Sequence, residues 1–197
     1  SENTDYYFYV RNHCGTENQS RWSQPALFHT DFTPLPVPYF EDFDSSQVKY
    51  AFSVFPSNWD NLNANAPNYY YLAPSAYVDT FPQTFDYSGA FLHFLSNNSV
   101  YLYAIMPYLD AKIDTLSLNF VYRYTHATNT NTTLEVGVVH RDSNDFVVLD
   151  TVPYDNVLGF YSYDFGQSGI SGRNYRIFFR AKSTASYGGF IMDDLQV

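Results

Sequence analysis

The final stretch of the chain, Arg173–Val197, limits the possible folds most sharply, because it carries an unbroken two-residue rhythm in which apolar and cationic side chains alternate. Tyr175, Ile177, Phe179 and Ala181 fall on one face of an extended segment, and Arg176, Phe178 and Arg180 on the other. That is the pattern of a half-buried antiparallel strand. A polar, glycine-ended turn from Ser183 to Gly189 follows, then a second strand that closes on adjacent aspartates. Simple alternation predicts that Ile191, Leu195 and Val197 share a face with Asp193 and that Asp194 points away. A carboxylate on an apolar face is costly unless it is paired or metal-bound.

The same rhythm recurs upstream. Strands are predicted at Ala90–Leu95, Val100–Ala104, Leu116–Tyr124, Leu134–Val139, Phe146–Val152 and Tyr161–Phe165, separated by turns rich in Ser, Asn, Asp, Thr and Gly. A short strand is expected at Asn68–Leu72 within an irregular Asn-, Ala- and Tyr-rich region. No stretch keeps a helical period. Twenty Tyr and 18 Phe in 197 residues supply the flat rings that fill a space between stacked sheets. The expected fold is all-β, a two-sheet antiparallel jelly-roll sandwich with an N-terminal β-hairpin.

Residues 1–30 stand apart. Tyr6, Phe8 and Val10 alternate with Tyr7, Tyr9 and Arg11, a polar turn follows, and Ser20-Arg21-Trp22-Ser23-Gln24-Pro25 leads into a second strand through Phe28. A hairpin of this size is too small to bury a core by itself. Residues 31–35 read as a linker at the start of a proline-rich run (Pro34, Pro36, Pro38), and 36–197 as the sandwich domain. The formal charge of −10 disfavours nucleic acid and anionic membranes as partners, and no membrane-inserted segment is expected. With Cys14 alone, no internal disulfide forms.

Two resemblances follow. Tyr9, Val10, Ser20, Trp22, Ser23, Pro25, Phe28 and Thr30 resemble the closing strands of a fibronectin type III domain. Pro38–Asp44, Pro56-Ser57-Asn58-Trp59, Pro107–Asp110, Leu116–Arg123, Leu134–Val138, Asp145-Phe146-Val147 and Phe190–Val197 together resemble the bacterial cleaved-adhesin and choice-of-anchor J domains, which are MAM-like jelly rolls. The second resemblance implies a non-catalytic adhesion or recognition module of a larger bacterial surface protein. Its partner would be a glycan or a surface protein of a host or neighbouring cell, its location extracellular, and its signal and anchor outside this chain. A purely structural spacer is the alternative.

The resemblance also implies structural calcium between the opening acidic motif and the closing double aspartate, with Glu41, Asp44 and Asp193 as ligands; an all-oxygen donor set suits that ion. For a glycan, the aromatics of the irregular region, Trp59, Tyr69, Tyr70 and Tyr71, are the candidates, weighed against ordinary core packing. Catalysis has little support. The chain has only four Glu (Glu2, Glu17, Glu41, Glu135), no Gly-x-Ser-x-Gly elbow and no zinc-like histidine spacing, which leaves a glycoside hydrolase as a remote alternative.

Overall fold

The computed structural model describes residues 4–15, 18–30, 33–44, 56, 58–62, 75–79, 91–96, 101–124, 132–141, 143, 145–154, 158–183 and 188–197. The chain divides into two compact units, Ser1–Thr33 and Pro34–Val197.

In the first unit, β1 (Thr4–Phe8) pairs antiparallel with β4 (Ala26–Thr30), and β2 (His13–Cys14) with β3 (Asn18–Gln19). Between these pairs the chain is joined by serine. Ser23 N–H donates to Val10 O while Ser23 Oγ accepts from Val10 N–H, and Ser20 repeats the arrangement on Asn12. Each hydroxyl thus takes the place of a backbone carbonyl and satisfies an N–H that would otherwise lose its partner. Tyr6 stacks on Phe28 at 5.3 Å and the Arg11 guanidinium lies 4.5 Å from the centre of the Trp22 ring. Tyr7, Phe8, Tyr9, Val10, Trp22, Leu27 and Phe28 are nevertheless exposed, as expected of a small hairpin without a core of its own.

The second unit is a sandwich of two antiparallel sheets. Its strands are β5 (Phe40–Glu41), β6 (Asp60–Leu62), β7 (Ser75–Asp79), β8 (Phe91–Ser96), β9 (Tyr101–Ile105), β10 (Ser117–Tyr124), β11 (Thr132–His140), β12 (Phe146–Thr151), β13 (Gly159–Asp164), β14 (Tyr175–Ser183) and β15 (Gly188–Gln196). Among the described residues, one sheet runs β13-β10-β15-β8-β7, with β5 added beside β15; the other runs β12-β11-β14-β9-β6. The last two strands therefore lie in different sheets. Leu35 already belongs to this unit: its N–H donates to Tyr108 O at 2.7 Å and its carbonyl accepts from Asp110 N–H at 2.8 Å. Leu35, the last residue of the expected linker 31–35, forms a bridge with Leu109.

The core follows the alternation. Leu118, Phe120, Tyr122 and Tyr124 of β10, Leu134, Val136 and Val138 of β11, and Ile177, Phe179 and Ala181 of β14 are buried between the sheets. Rings interlock across the gap: Phe120 meets Phe179 edge-on at 5.6 Å, and Trp59 stacks on Phe179 at 6.2 Å. Edge-to-face and stacked pairs of this kind add to the burial of the rings themselves.

The five-stranded sheet is also apolar on its outer side, which alternation alone does not demand. Phe178, Ile105 and Val139 form a second buried cluster there, with Tyr103, Phe146 and Val148 packed against it. Gly137 makes this possible. A Cβ at that position would lie 2.5 Å from the Phe178 ring and 2.3 Å from the Val147 carbonyl, so only glycine lets the ring lie flat across β11. Gly137→Ala should destabilise the sandwich by about 1–3 kcal/mol, the usual cost of overpacking. Urea denaturation checks this, and a stability within about 0.5 kcal/mol of the parent would mean that the ring shifts freely.

Candidate functional site

Two regions of the sandwich concentrate chemistry. The first is the junction of its opening and closing strands. Glu41 pairs with Leu195 and Phe40 with Gln196, while Tyr39 and Val197 exchange both backbone hydrogen bonds, at 2.8 and 2.9 Å. The two ends expected to meet do meet. The alternation of the last strand is corrected, however. On β10, Asn119 faces Gln196 and Val121 faces Asp193, so two residues of β15 oppose the single residue Phe120. This is a β-bulge, with Asp194 in the left-handed region at φ 51° and its N–H donated to Asp193 Oδ1 at 2.8 Å. Phe190 and Met192 face the core before the bulge, and Leu195 lies in the core after it. Ile191 is on the opposite face, buried with Phe91, so it does not share a face with Leu195 and Val197.

Asp193 is 9% exposed. Burial, opposed by the Asp194 N–H and reinforced by the charges of Asp194, Asp44 and Asp42, pushes its carboxyl up to about 7. Asp42 is the residue that sequence reasoning missed. It forms a small turn by accepting from Asp44 N–H at 3.1 Å, and its neighbourhood to Asp193 arises only from the pairing of β5 with β15.

Glu41 has a different occupation. Its Oε2 accepts from Tyr39 Oη–H at 3.0 Å, its Oε1 accepts from Phe43 N–H at 3.0 Å, and Tyr39 Oη in turn accepts from Trp59 Nε1–H at 2.9 Å. Burial holds the Tyr39 hydroxyl above its ordinary range, so it stays protonated and donates; burial also raises Glu41, against the opposing hydrogen bonds from Tyr39 and Phe43. The network holds Phe43 at φ 55° with its ring fully buried against Trp59. A bulky residue in that region is strained, and the buried ring and the fixed N–H together hold it there.

Trp59, expected as a sugar platform, is 6% exposed and belongs to the core. Phe179 stacks on its ring, Phe43 meets it in a T-shaped contact, and Tyr39 accepts from its N–H. Tyr69, Tyr70 and Tyr71, like the short strand at Asn68–Leu72, lie outside the described residues. Among the described residues, no three His, Cys, Asp or Glu side chains come together closely enough to hold a metal ion as they stand. The donor chemistry around Asp193, all carboxylate oxygen, is nonetheless that of a hard cation.

The second region was not found from sequence, although alternation marked one of its strands. On the outer face of the five-stranded sheet, Glu135, Arg180 and Tyr103 sit in one cross-strand row and Thr133, Lys182 and Tyr101 in the next. Arg180 Nε donates to Glu135 Oε2 at 2.6 Å, and its guanidinium lies 4.3 Å from the centre of the Tyr101 ring and 5.9 Å from that of Tyr103. Lys182 Nζ lies 4.7 Å from the Tyr101 ring centre. Further along β14, Arg176 pairs with Asp60, donates to Met106 O at 2.6 Å and lies over Tyr108. Tyr101 and Tyr103 are partly exposed.

No family model matches the chain, and no curated protein matches it. Solved structures do. The K1 cleaved adhesin domain of Lys-gingipain from Porphyromonas gingivalis W83 aligns over 81% of this chain and 96% of its own, with 13% identity and a TM-score of 0.55. The K2 cleaved adhesin domain of Lys-gingipain aligns over 81% of this chain and 98% of its own, with 12% identity and a TM-score of 0.56. The chain therefore shares the β-sandwich fold of cleaved adhesin domains.

The raised Asp193 sets the sign of a pH effect. The folded chain holds a proton on this group up to about pH 7, whereas the unfolded chain releases it near about 3.9. The contribution is therefore greatest below about pH 4 and is lost as pH rises through 7. In chelator, the parent should lose stability between pH 5 and pH 8 relative to Asp193→Asn, as measured by melting temperature. Parallel pH profiles for the two proteins would refute the assignment.

Proposed function

We propose that residues 34–197 form a non-catalytic recognition module of a bacterial surface or secreted protein, and that it binds glycan. The observation that carries this reading is the outer face of the five-stranded sheet, where partly exposed tyrosines lie beside polar side chains already fixed by their own contacts. Small-ligand sites combine aromatic surface with a few well-placed polar groups in this way. The fold shared with the K1 and K2 cleaved adhesin domains agrees with it. Membership of the choice-of-anchor J group and the fibronectin type III character of residues 1–30 belong to the same proposal, the latter supported by the serine-joined strands and the exposed rings of that hairpin. The rival is a spacer that positions neighbouring domains.

Structural calcium is part of the reading. Asp193, Asp44 and Asp42 would have to draw together around it, with Glu41 left on Tyr39 and Phe43. Its charge would neutralise the mutual repulsion of the three aspartates and fasten the opening strand to the closing one.

Two measurements test these statements. The full chain, labelled and applied to a glycan array, should bind a defined subset of glycans; binding to none would leave the spacer reading in possession. Calcium at about a hundred times its Kd should add roughly 2.7 kcal/mol to stability. The melting temperature should therefore rise with calcium in the parent but not in Asp193→Asn, and an unchanged parent melting curve would exclude the ion.

A further inference from the structure

We propose that the outer face of the five-stranded sheet takes an uncharged glycan, with Tyr101 and Tyr103 as its stacking platform and the Arg180–Glu135 pair as the hydrogen-bonding element beside it. This rests on the recognition reading above and assigns it a place and a ligand class.

The argument begins with charge. Three of the chain's ten cationic side chains, Arg176, Arg180 and Lys182, stand on one face of β14 in a protein of net charge −10. A cationic strip on an acidic molecule first suggests an anionic ligand. The contacts argue otherwise. Arg180 is already neutralised by Glu135 at 2.6 Å and Arg176 by Asp60, and the carboxylates are built into the same sheet face. An acidic sugar would have to compete with these carboxylates for the guanidinium groups and approach through the field of a strongly acidic protein. What remains for a ligand is a surface whose third cation, Lys182, lies over the Tyr101 ring, and which offers both N–H donors and carboxylate acceptors.

Geometry supplies the rest. Arg180 and Glu135 are each under 20% exposed as side chains, and burial, which lowers the guanidinium's pKa, is outweighed by the hydrogen bonds to Glu135 and Tyr103 that raise it. A polar pair locked in this way loses little freedom on binding, which is the condition for directional contacts to add affinity. Tyr103 is supported from the side by Phe146 at 4.8 Å, and Tyr101 adjoins Tyr103 at 6.3 Å, so the two rings form a continuous strip along β9. A pyranose ring presents C–H groups on a face and hydroxyls around its rim. The strip offers aromatic surface for the first and, one strand away, about 4.8 Å, fixed donors and acceptors for the second. Phe178, Ile105 and Val139 of this face are buried and Phe146 and Val148 only partly exposed, so the face presents tyrosine rings and polar groups more than aliphatic surface. The other sheet offers a poorer surface: Phe160, 69% exposed, lies beside Val121, and its row ends at Asp193 in the acidic junction.

Isothermal titration calorimetry of the full chain tests the proposal. The neutral probes are soluble β-glucan, galactan and mannan oligosaccharides; the acidic probes are polygalacturonate and hyaluronate oligosaccharides. A neutral probe should bind with a Kd that changes by less than about twofold between 50 and 500 mM NaCl, since screening acts on charge. Tyr101→Ala should weaken it at least about tenfold, and the charge-neutral double variant Arg180→Gln with Glu135→Gln should do the same. Tyr101→Trp, which enlarges the platform, should retain binding and controls for any loss of fold in Tyr101→Ala. Binding confined to the acidic probes, or neutral binding untouched by both the Tyr101→Ala and the double variant, would overturn the inference while leaving glycan recognition in place. Binding to no probe here and to nothing on the array would overturn both.

Discussion

The whole sandwich depends on β15. It pairs with β10, β8 and β5, so the final strand lies inside its sheet and not at the rim. Every pairing in that sheet passes directly or at one remove through it. The segment completed last in sequence is thus the one on which the opening strand closes, and contacts of this kind join residues more than 150 apart in the chain. Loop-closure entropy for such pairing is recovered only when the aromatic core has formed around it.

The bulge at Asp194-Leu195, next to Asp193, shows how this central position creates a special site. Asp193 points away from the core in step with Ile191, and the extra residue in β15 turns Leu195 back inward, leaving Asp193 buried beside the turn that holds Asp42 and Asp44. A regular strand would have placed Leu195 outward and lost its burial. The sequence accommodates the irregularity with two adjacent aspartates, of which the second takes the left-handed backbone conformation that Asp tolerates better than most residues. Glu41 lies one pairing away but serves a different purpose: it holds Tyr39, Trp59 and Phe43 together as a hydrogen-bonded plug at the start of the domain.

The five-stranded sheet is built on a different balance. Both of its faces bury aromatic rings, Phe179 inward and Phe178 outward, which takes the place of the polar outer face usual for an antiparallel sheet. Gly137 gives the outward ring its room. Around that second cluster the charged side chains of β14 lie over tyrosines and against carboxylates, so the exposed part of the face is aromatic and polar. The proposed recognition surface and a stabilising contact network would share the same residues there.

Much of this was legible without coordinates. The period of two in Tyr175–Ala181 and Leu116–Tyr124 determined the strands and their inward faces, because side-chain direction in a strand is a local property of the backbone. The same alternation placed Arg176 and Arg180 outward. Tertiary structure decided what those faces meet. The irregular register of β15 depends on its partner β10, so the strand's own residues grouped Leu195 and Val197 with Ile191 and Asp193, from which the bulge separates them. Trp59 reads in sequence as an aromatic at a loop and became core only because Phe179, 120 residues away, lies beneath it. The partnership of Arg180 with Glu135 and Tyr103 required three strands from distant parts of the chain to align. Local patterning dictates what each strand can present; which strand lies next to it is a long-range outcome, and both candidate sites are made of such neighbours.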